Sequence, residues 1–160
     1  MDTYQKFYKL ICENEYFKNI SHLESLEQYQ INVFDKVHEP KWIFKWNRFQ
    51  IKSFNIFKIN YPKYFQIIID KFVNFINEGF RNNISKEELE KINEEFLKEN
   101  LEISNIIFEE NGDIVITFDF KNNVTDPWLE DVGLGAKILG NNIENFDPNN
   151  IFVGVQSDWL

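Results

Sequence analysis

Apolar residues are spaced most regularly between Pro62 and Phe80, where the chain reads PKYFQIIIDKFVNFINEGF. Phe65, Ile68, Ile69, Phe72, Phe75 and Ile76 recur at three- and four-residue steps, so this stretch predicts a helix. Pro62 suits its first turn, and Gly79 before Arg81-Asn82-Asn83 suits a left-handed exit. Tyr64, Ile67, Val73 and Phe80 widen the apolar surface, so the helix must be covered from more than one side. At roughly 1.5 to 3 kcal/mol per buried large side chain, its apolar residues contribute on the order of 20 kcal/mol before entropy is counted.

On the N-terminal side, Tyr4, Phe7, Tyr8, Leu10, Ile11 and Phe17 predict a helix over Thr3 to Asn19. Ser21 with Glu24 forms a capping box before Leu23, Leu26 and Tyr29, predicting a second short helix. His22 falls in its first turn and reads as a surface residue. Residues 41–59 fit two patterns. Lys41, Lys45, Arg48 and Lys52 make one basic stripe on a helix, whereas Trp42, Phe44 and Trp46 alternate as a strand would. Helix from Pro40 to about Lys52 is the favoured reading, with Ser53 to Ile59 extended or in a loop. After the central helix, Ser85 and Glu88 form another capping box, and Leu89, Ile92 and Phe96 give one amphipathic helix ending near Asn100.

The period then changes to two. Ile103 to Glu109 and Asp113 to Phe120 flank Asn111-Gly112, which predicts a hairpin with a two-residue turn. Ile114, Ile116, Phe118 and Phe120 face one way, towards the helices. Asp113, Val115, Thr117 and Asp119 face the other, which is expected to be at least partly wet. Strands are further expected at Leu134 to Leu139 and Ile151 to Val155, with Trp159 docking the tail. Helices followed by strands give an α+β fold: a helical N-terminal half on one face of an antiparallel sheet of three to four strands, in a single domain over residues 1–160.

Composition narrows the chemistry. Of 160 residues, one is cysteine, so neither an internal disulfide nor a thiolate metal cluster can form within the chain. The first twenty residues lack the apolar core of a signal peptide, and no run is long enough to span a membrane, so a cytoplasmic protein is expected. The net charge is −9, and it is unevenly spread. Residues 40–69 hold six bases and no acid, whereas residues 99–160 hold twelve acids against Lys121 and Lys137. Such an anionic C-terminal part repels nucleic acid and anionic membrane and favours a basic protein partner.

Each candidate site competes with a plainer reading. Cys12 with His38 would make a dyad, but Cys12 lies among apolar residues as a small buried hydrophobe does. Asp119-Phe120-Lys121 matches the D-x-K tail of metal-dependent nucleases, with Asp113 as the second carboxylate; the overall charge opposes a polyanionic substrate. Asp126, Glu130 and Asp131 with Asp119 could gather calcium, without the spacing of an EF-hand. Gly133, Gly135 and Gly140 do not make a dinucleotide fingerprint. The Trp-rich basic stretch 41–52 has the composition of a single-strand nucleic-acid platform, but it equally suits pairing with acids elsewhere in the fold. Trp128, between Asp126-Pro127 and Glu130-Asp131, has the composition of a binding hot spot; plugging the sheet edge is its structural alternative.

A helical N-terminal half, the hairpin IIFEENGDIVITFDF, an acidic loop and the strand GLGAKI together resemble the small immunity proteins of bacterial toxin systems over residues 62–139. The resemblance implies a non-enzymatic inhibitor that binds a cognate basic toxin and occludes its active site or an essential surface, with no catalytic residue and no cofactor. Asp119, Asp126, Trp128, Glu130 and Asp131 are then the expected contact residues. The alternatives are a metal-dependent nuclease or hydrolase using Asp113, Asp119 and Lys121, and a structural module that self-associates.

Overall fold

The computed structural model describes residues 26–28, 31–32, 44–46, 48–121, 127–129 and 132–156. The helix expected from Pro62 begins much earlier. It runs unbroken over Arg48–Gly79 (α1) and carries Pro62 inside it. Thirty-two residues make a rod of about 48 Å. An interior proline costs about 3 kcal/mol because it removes one N–H and crowds the preceding turn. Here Phe54 and Phe57 before it and Tyr64, Phe65, Ile68 and Ile69 after it are all buried, and Pro62 itself is exposed. Several large side chains at roughly 1.5 to 3 kcal/mol each outweigh that penalty, so the helix passes through. Residues 53–59, expected to be extended or in a loop, are helical for the same reason.

Strand, not helix, occupies Phe44–Trp46 (β3), which pairs antiparallel with Leu26–Gln28 (β1) in register Leu26 to Trp46. The short helix expected after Ser21 is therefore overturned at Leu26–Gln28, where pairing with a distant partner overrides a local capping pattern. The helix expected over Thr3 to Asn19 lies outside the described residues. Gly79 also departs from expectation: it is the last residue of α1, and among the glycines it is Gly112 that takes a positive φ.

Two helices replace the single one expected after Ser85. Lys86–Glu90 (α2) is capped by the Ser85 hydroxyl on the Glu88 N–H, as the capping box predicts. Asn93 then caps Glu94–Asn100 (α3) through the Phe96 N–H at 2.9 Å. An asparagine that can accept from the N–H three residues on competes with helix continuation, and it starts a new helix here.

Five antiparallel strands form the main sheet in the order β2-β4-β5-β6-β7: Ile31–Asn32, Leu101–Phe108, Ile114–Phe120, Leu134–Ile138 and Ile151–Val155. The fifth strand is the two-residue Ile31–Asn32, too short to show an alternating pattern. The architecture is α+β, with α1 across one face. Phe118 sits between Phe65 and Phe72, two turns apart on α1, with edge-to-face rings at 6.1 and 5.3 Å. Phe54 meets Phe108 the same way at 5.5 Å. On the opposite face Val115, Thr117 and Ser104 are buried, so that face is wet only in part. Among the described residues it opens towards Asp119 at one end and towards Lys137 and the exposed Phe152 at the other.

The hairpin tip is where helix and sheet are joined. Gly112 donates to the Glu109 carbonyl and Glu109 to the Asp113 carbonyl, both at 2.9 Å, which closes a three-residue loop rather than the two-residue turn expected. Gly112 takes φ +89°, the left-handed position that such a loop requires. From α1, Gln50 donates to the Phe108 carbonyl at 3.0 Å and Ser53 to the Gly112 carbonyl at 2.6 Å, both buried. From the far side, Gly140 donates its N–H to Asp113 Oδ1 at 2.7 Å.

A Cβ on Gly140 would lie 2.2 Å from the Gly112 carbonyl carbon, where backbone cannot yield. Gly140→Ala is expected to cost about 3 kcal/mol, typical of severe overpacking, lowering Tm by roughly 6 to 12 °C in thermal unfolding. Gly79→Ala meets nothing within 4 Å. It is expected to raise stability by about 0.4 to 1 kcal/mol through the unfolded chain.

Candidate binding site

Asp113 just precedes β5 and Asp119 is its next-to-last residue, about 20 Å away, and the structure uses them differently. Asp113 is 7% exposed. Its carboxylate accepts from the Asn111 side chain at 3.0 Å and the Gly140 N–H at 2.7 Å, and Lys137 lies 3.5 Å away. Lys137 also meets Glu109 at 3.2 Å. Burial alone would push the Lys137 ammonium down, but Glu109 and Asp113 together hold it above its ordinary value. Asp113 is thus the buried staple of the hairpin tip.

Asp119 has the opposite surroundings. It stands directly across from Glu102, and a bulge between Ile103 and Asn105 leaves Ser104 beside the pair. Burial pushes the Asp119 carboxyl up; a hydrogen bond from Ser104 opposes this, and the Glu102 charge adds to it. Ser104 has one hydroxyl proton. When it donates to Asp119, Thr117, 2.7 Å from Ser104, becomes the donor of the buried Ser104–Thr117 bond. The result is a hydroxyl relay ending on a half-buried carboxylate that faces another carboxylate.

Lys121, the third member of the D-x-K candidate, is turned elsewhere. Its N–H donates to the Asn100 carbonyl at 2.9 Å, and its ammonium donates to the Glu99 carbonyl. A cation on the last carbonyls of α3 is where the helix dipole favours one. Asp113, Asp119 and Lys121 therefore do not converge. No group of three metal-ligating side chains occurs among the described residues.

Next to Glu102 and Asp119, α3 adds further acid. Asn93, Glu94, Glu95, Lys98 and Glu99 line an open depression. Lys98 reaches Glu94 at 2.5 Å and Gln66 of α1 at 3.2 Å. That contact with Lys98, helped by Gln66, holds the Glu94 carboxyl below its ordinary value. Glu95 and Glu99 remain exposed.

Trp128 lies in the 3-10 turn Pro127–Leu129, partly buried, with its ring 5.2 Å from that of Phe80 just past the end of α1. It packs on the edge of the core beside the fully buried Leu129. Asp126, Glu130 and Asp131, like Cys12, His22, His38 and Trp159, lie outside the described residues. Sequence reading missed Glu102, Ser104 and Thr117. Pairing about a two-residue turn would have put Ser104 across from Asp119; the longer loop and the bulge each shift the register by one and bring Glu102 there. No helix among the described residues is long and apolar enough to cross a membrane.

Because the folded state holds Asp119 above its ordinary pKa, it binds that proton more tightly than the unfolded chain does. Stability is therefore lost as pH rises from the ordinary carboxylate range through the raised value, and at neutral pH the ionised group is a cost. Asp119→Asn keeps an acceptor for Ser104 and removes the repulsion. It is expected to raise stability at pH 7 by about 0.2 to 1 kcal/mol, the order of a cross-strand pair, seen as a higher Tm, and to lose that advantage below about pH 4. Asp113→Ala, which strands the Gly140 N–H, is expected to cost about 2 to 4 kcal/mol at pH 7. Magnesium or manganese is expected to leave the Tm of the wild-type protein unchanged. Compared with protein-family models, curated proteins and solved structures, the chain matches none.

Proposed function

We propose that the protein is a non-enzymatic inhibitor that binds another protein, its acidic end formed by Glu95 and Glu99 of α3 and by Glu102 and Asp119 at the adjoining ends of β4 and β5. The partner presents a basic surface. In its specific form the reading is an immunity protein that neutralises a cognate bacterial toxin by covering its active site or an essential surface. One observation carries it: Asp119 faces Glu102 with its carboxyl pushed up. Burial first, and the Glu102 charge after it, make the ionised Asp119 a cost to the fold. Perturbed carboxylates of this kind concentrate where charge is used. A lysine or arginine from a partner would offset that cost and be drawn in by the surrounding field. Trp128 and the acids flanking it extend the proposed contact along the chain, towards Asp126, Glu130 and Asp131.

The test is co-purification with the product of the adjacent reading frame, followed by calorimetry. Binding is expected at low micromolar Kd or tighter, and Glu102→Gln with Asp119→Asn is expected to weaken it about tenfold or more and flatten its salt dependence. Absence of binding at micromolar concentration removes the proposal. So does unchanged affinity in a double variant that melts at or above the wild-type temperature.

A further inference from the structure

The proposal above leaves one surface of opposite sign unused. Arg48, Lys52, Ile59 and Lys63 follow one another on α1 at steps of four, seven and four residues, which places them within about 60° of one another over roughly 22 Å of the helix. All four are exposed, Ile59 at 77%. Phe49, 49% exposed, borders the stripe with the Arg48 guanidinium 4.8 Å from its ring centre. No acid occurs from residue 40 to residue 69.

Helix stability does not account for this placement. The first turn of α1 holds no acid and the last turn no base, the reverse of what the helix dipole favours. Among the described residues the stripe meets a single acid. Lys52 meets Glu144 at 3.2 Å, but both side chains are more than half exposed, and a pair of that kind contributes little and exchanges readily. Lys63 lies 4.7 Å from the centre of the Phe146 ring, which leaves its charge in place. An isoleucine standing among three cations is the composition of an anchor surrounded by steering charge.

We infer that this stripe docks an acidic segment of another protein, one that sets an apolar side chain among its carboxylates. The charge map chooses this occupant over a membrane or a nucleic acid. With −10 gathered in residues 99–160, an extended polyanion would be repelled by the rest of the molecule, whereas a segment confined to the stripe meets its bases and displaces Glu144 from Lys52. The stripe ends where Gln66 hydrogen-bonds Asp70 at 3.0 Å and receives Lys98, and there the surface turns acidic.

Fluorescence anisotropy with a labelled helical peptide of about fifteen residues, matching the length of the stripe, with glutamates at four-residue steps around a central leucine, tests this on the full chain. Saturable micromolar binding is expected. Lys52→Glu with Lys63→Glu should weaken it about tenfold or more, and Ile59→Ser about three- to tenfold. Asp119→Asn should leave it unchanged, which separates this surface from the acidic one. Lys52, Ile59 and Lys63 are exposed, and circular-dichroism melts verify that each variant folds; Lys63→Gln serves if the reversal does not. The inference is overturned by absent binding, by equal binding of the peptide with glutamines for glutamates, or by preference for phosphatidylserine vesicles or an oligothymidine. Light scattering that shows the chain binding its own copies at the same concentration overturns it too.

Discussion

Everything described in this fold hangs on the close approach of two backbone segments at the hairpin tip. Gly140 can donate to Asp113 only because it has no side chain to strike the Gly112 backbone, and Gly112 in turn leaves room for Ser53 and Phe49 of α1. That one contact brings the end of β6 onto the β4–β5 loop. Ser53 and Gln50 then tie the same loop to the first turns of α1. Three elements distant in sequence thereby share a single rigid point, and the apolar face of α1 is aimed down the sheet from there. Phe54 meets Phe108 near this point, and Phe65 and Phe72 bracket Phe118 further along. Buried polar groups in such a node must all be satisfied, since each orphan costs about 1 to 3 kcal/mol. The chain meets that condition with short side chains that reach backbone groups.

The same strand shows what an acid means when its neighbours differ. Asp113 is nearly inaccessible, yet it accepts two hydrogen bonds and faces Lys137, so its burial stabilises the loop. Asp119 is better exposed, yet it faces Glu102, and one hydroxyl proton from Ser104 is too little to offset burial. Partners, not exposure alone, separate a carboxylate that builds the fold from one the fold only tolerates.

Much of the architecture was legible in advance, and the failures have identifiable causes. The Ser85 cap, the strands at Leu134 and Ile151 and the hairpin at Asn111-Gly112 were all readable, because each rests on a local pattern. Pro62 misled. Its preference for a first turn is a local rule, and it lost to apolar side chains buried on both sides of it. Asn93 was passed over because a cap inside an apparently continuous apolar period looks like a surface residue. The site was less legible than the fold. Asp119 could be named from its D-x-K context, but its partner depends on loop length and a bulge, and neither leaves a mark in composition. Trp128 was weighed as an exposed hot spot or an edge plug, and its ring against Phe80 gives it a packing role.

Length explains why two surfaces of opposite sign can coexist on so small a protein. In a chain with short helices, bases and acids would lie within a Debye length of about 8 to 10 Å and cancel. On this rod Arg48 stands about 27 Å along the axis from Gln66, where α3 is met. Continuity through Pro62 is what makes that rod: a helix beginning at Pro62 would have left Arg48 and Lys52 on a separate element, free to fold back onto the acids of α3. Held instead on one axis, the cations extend from the hairpin tip to just past the proline. Beyond them Gln66 and Lys98 bridge α1 to α3, and the acids begin. The energetic cost of a proline inside a helix is therefore also the condition for keeping the charges apart.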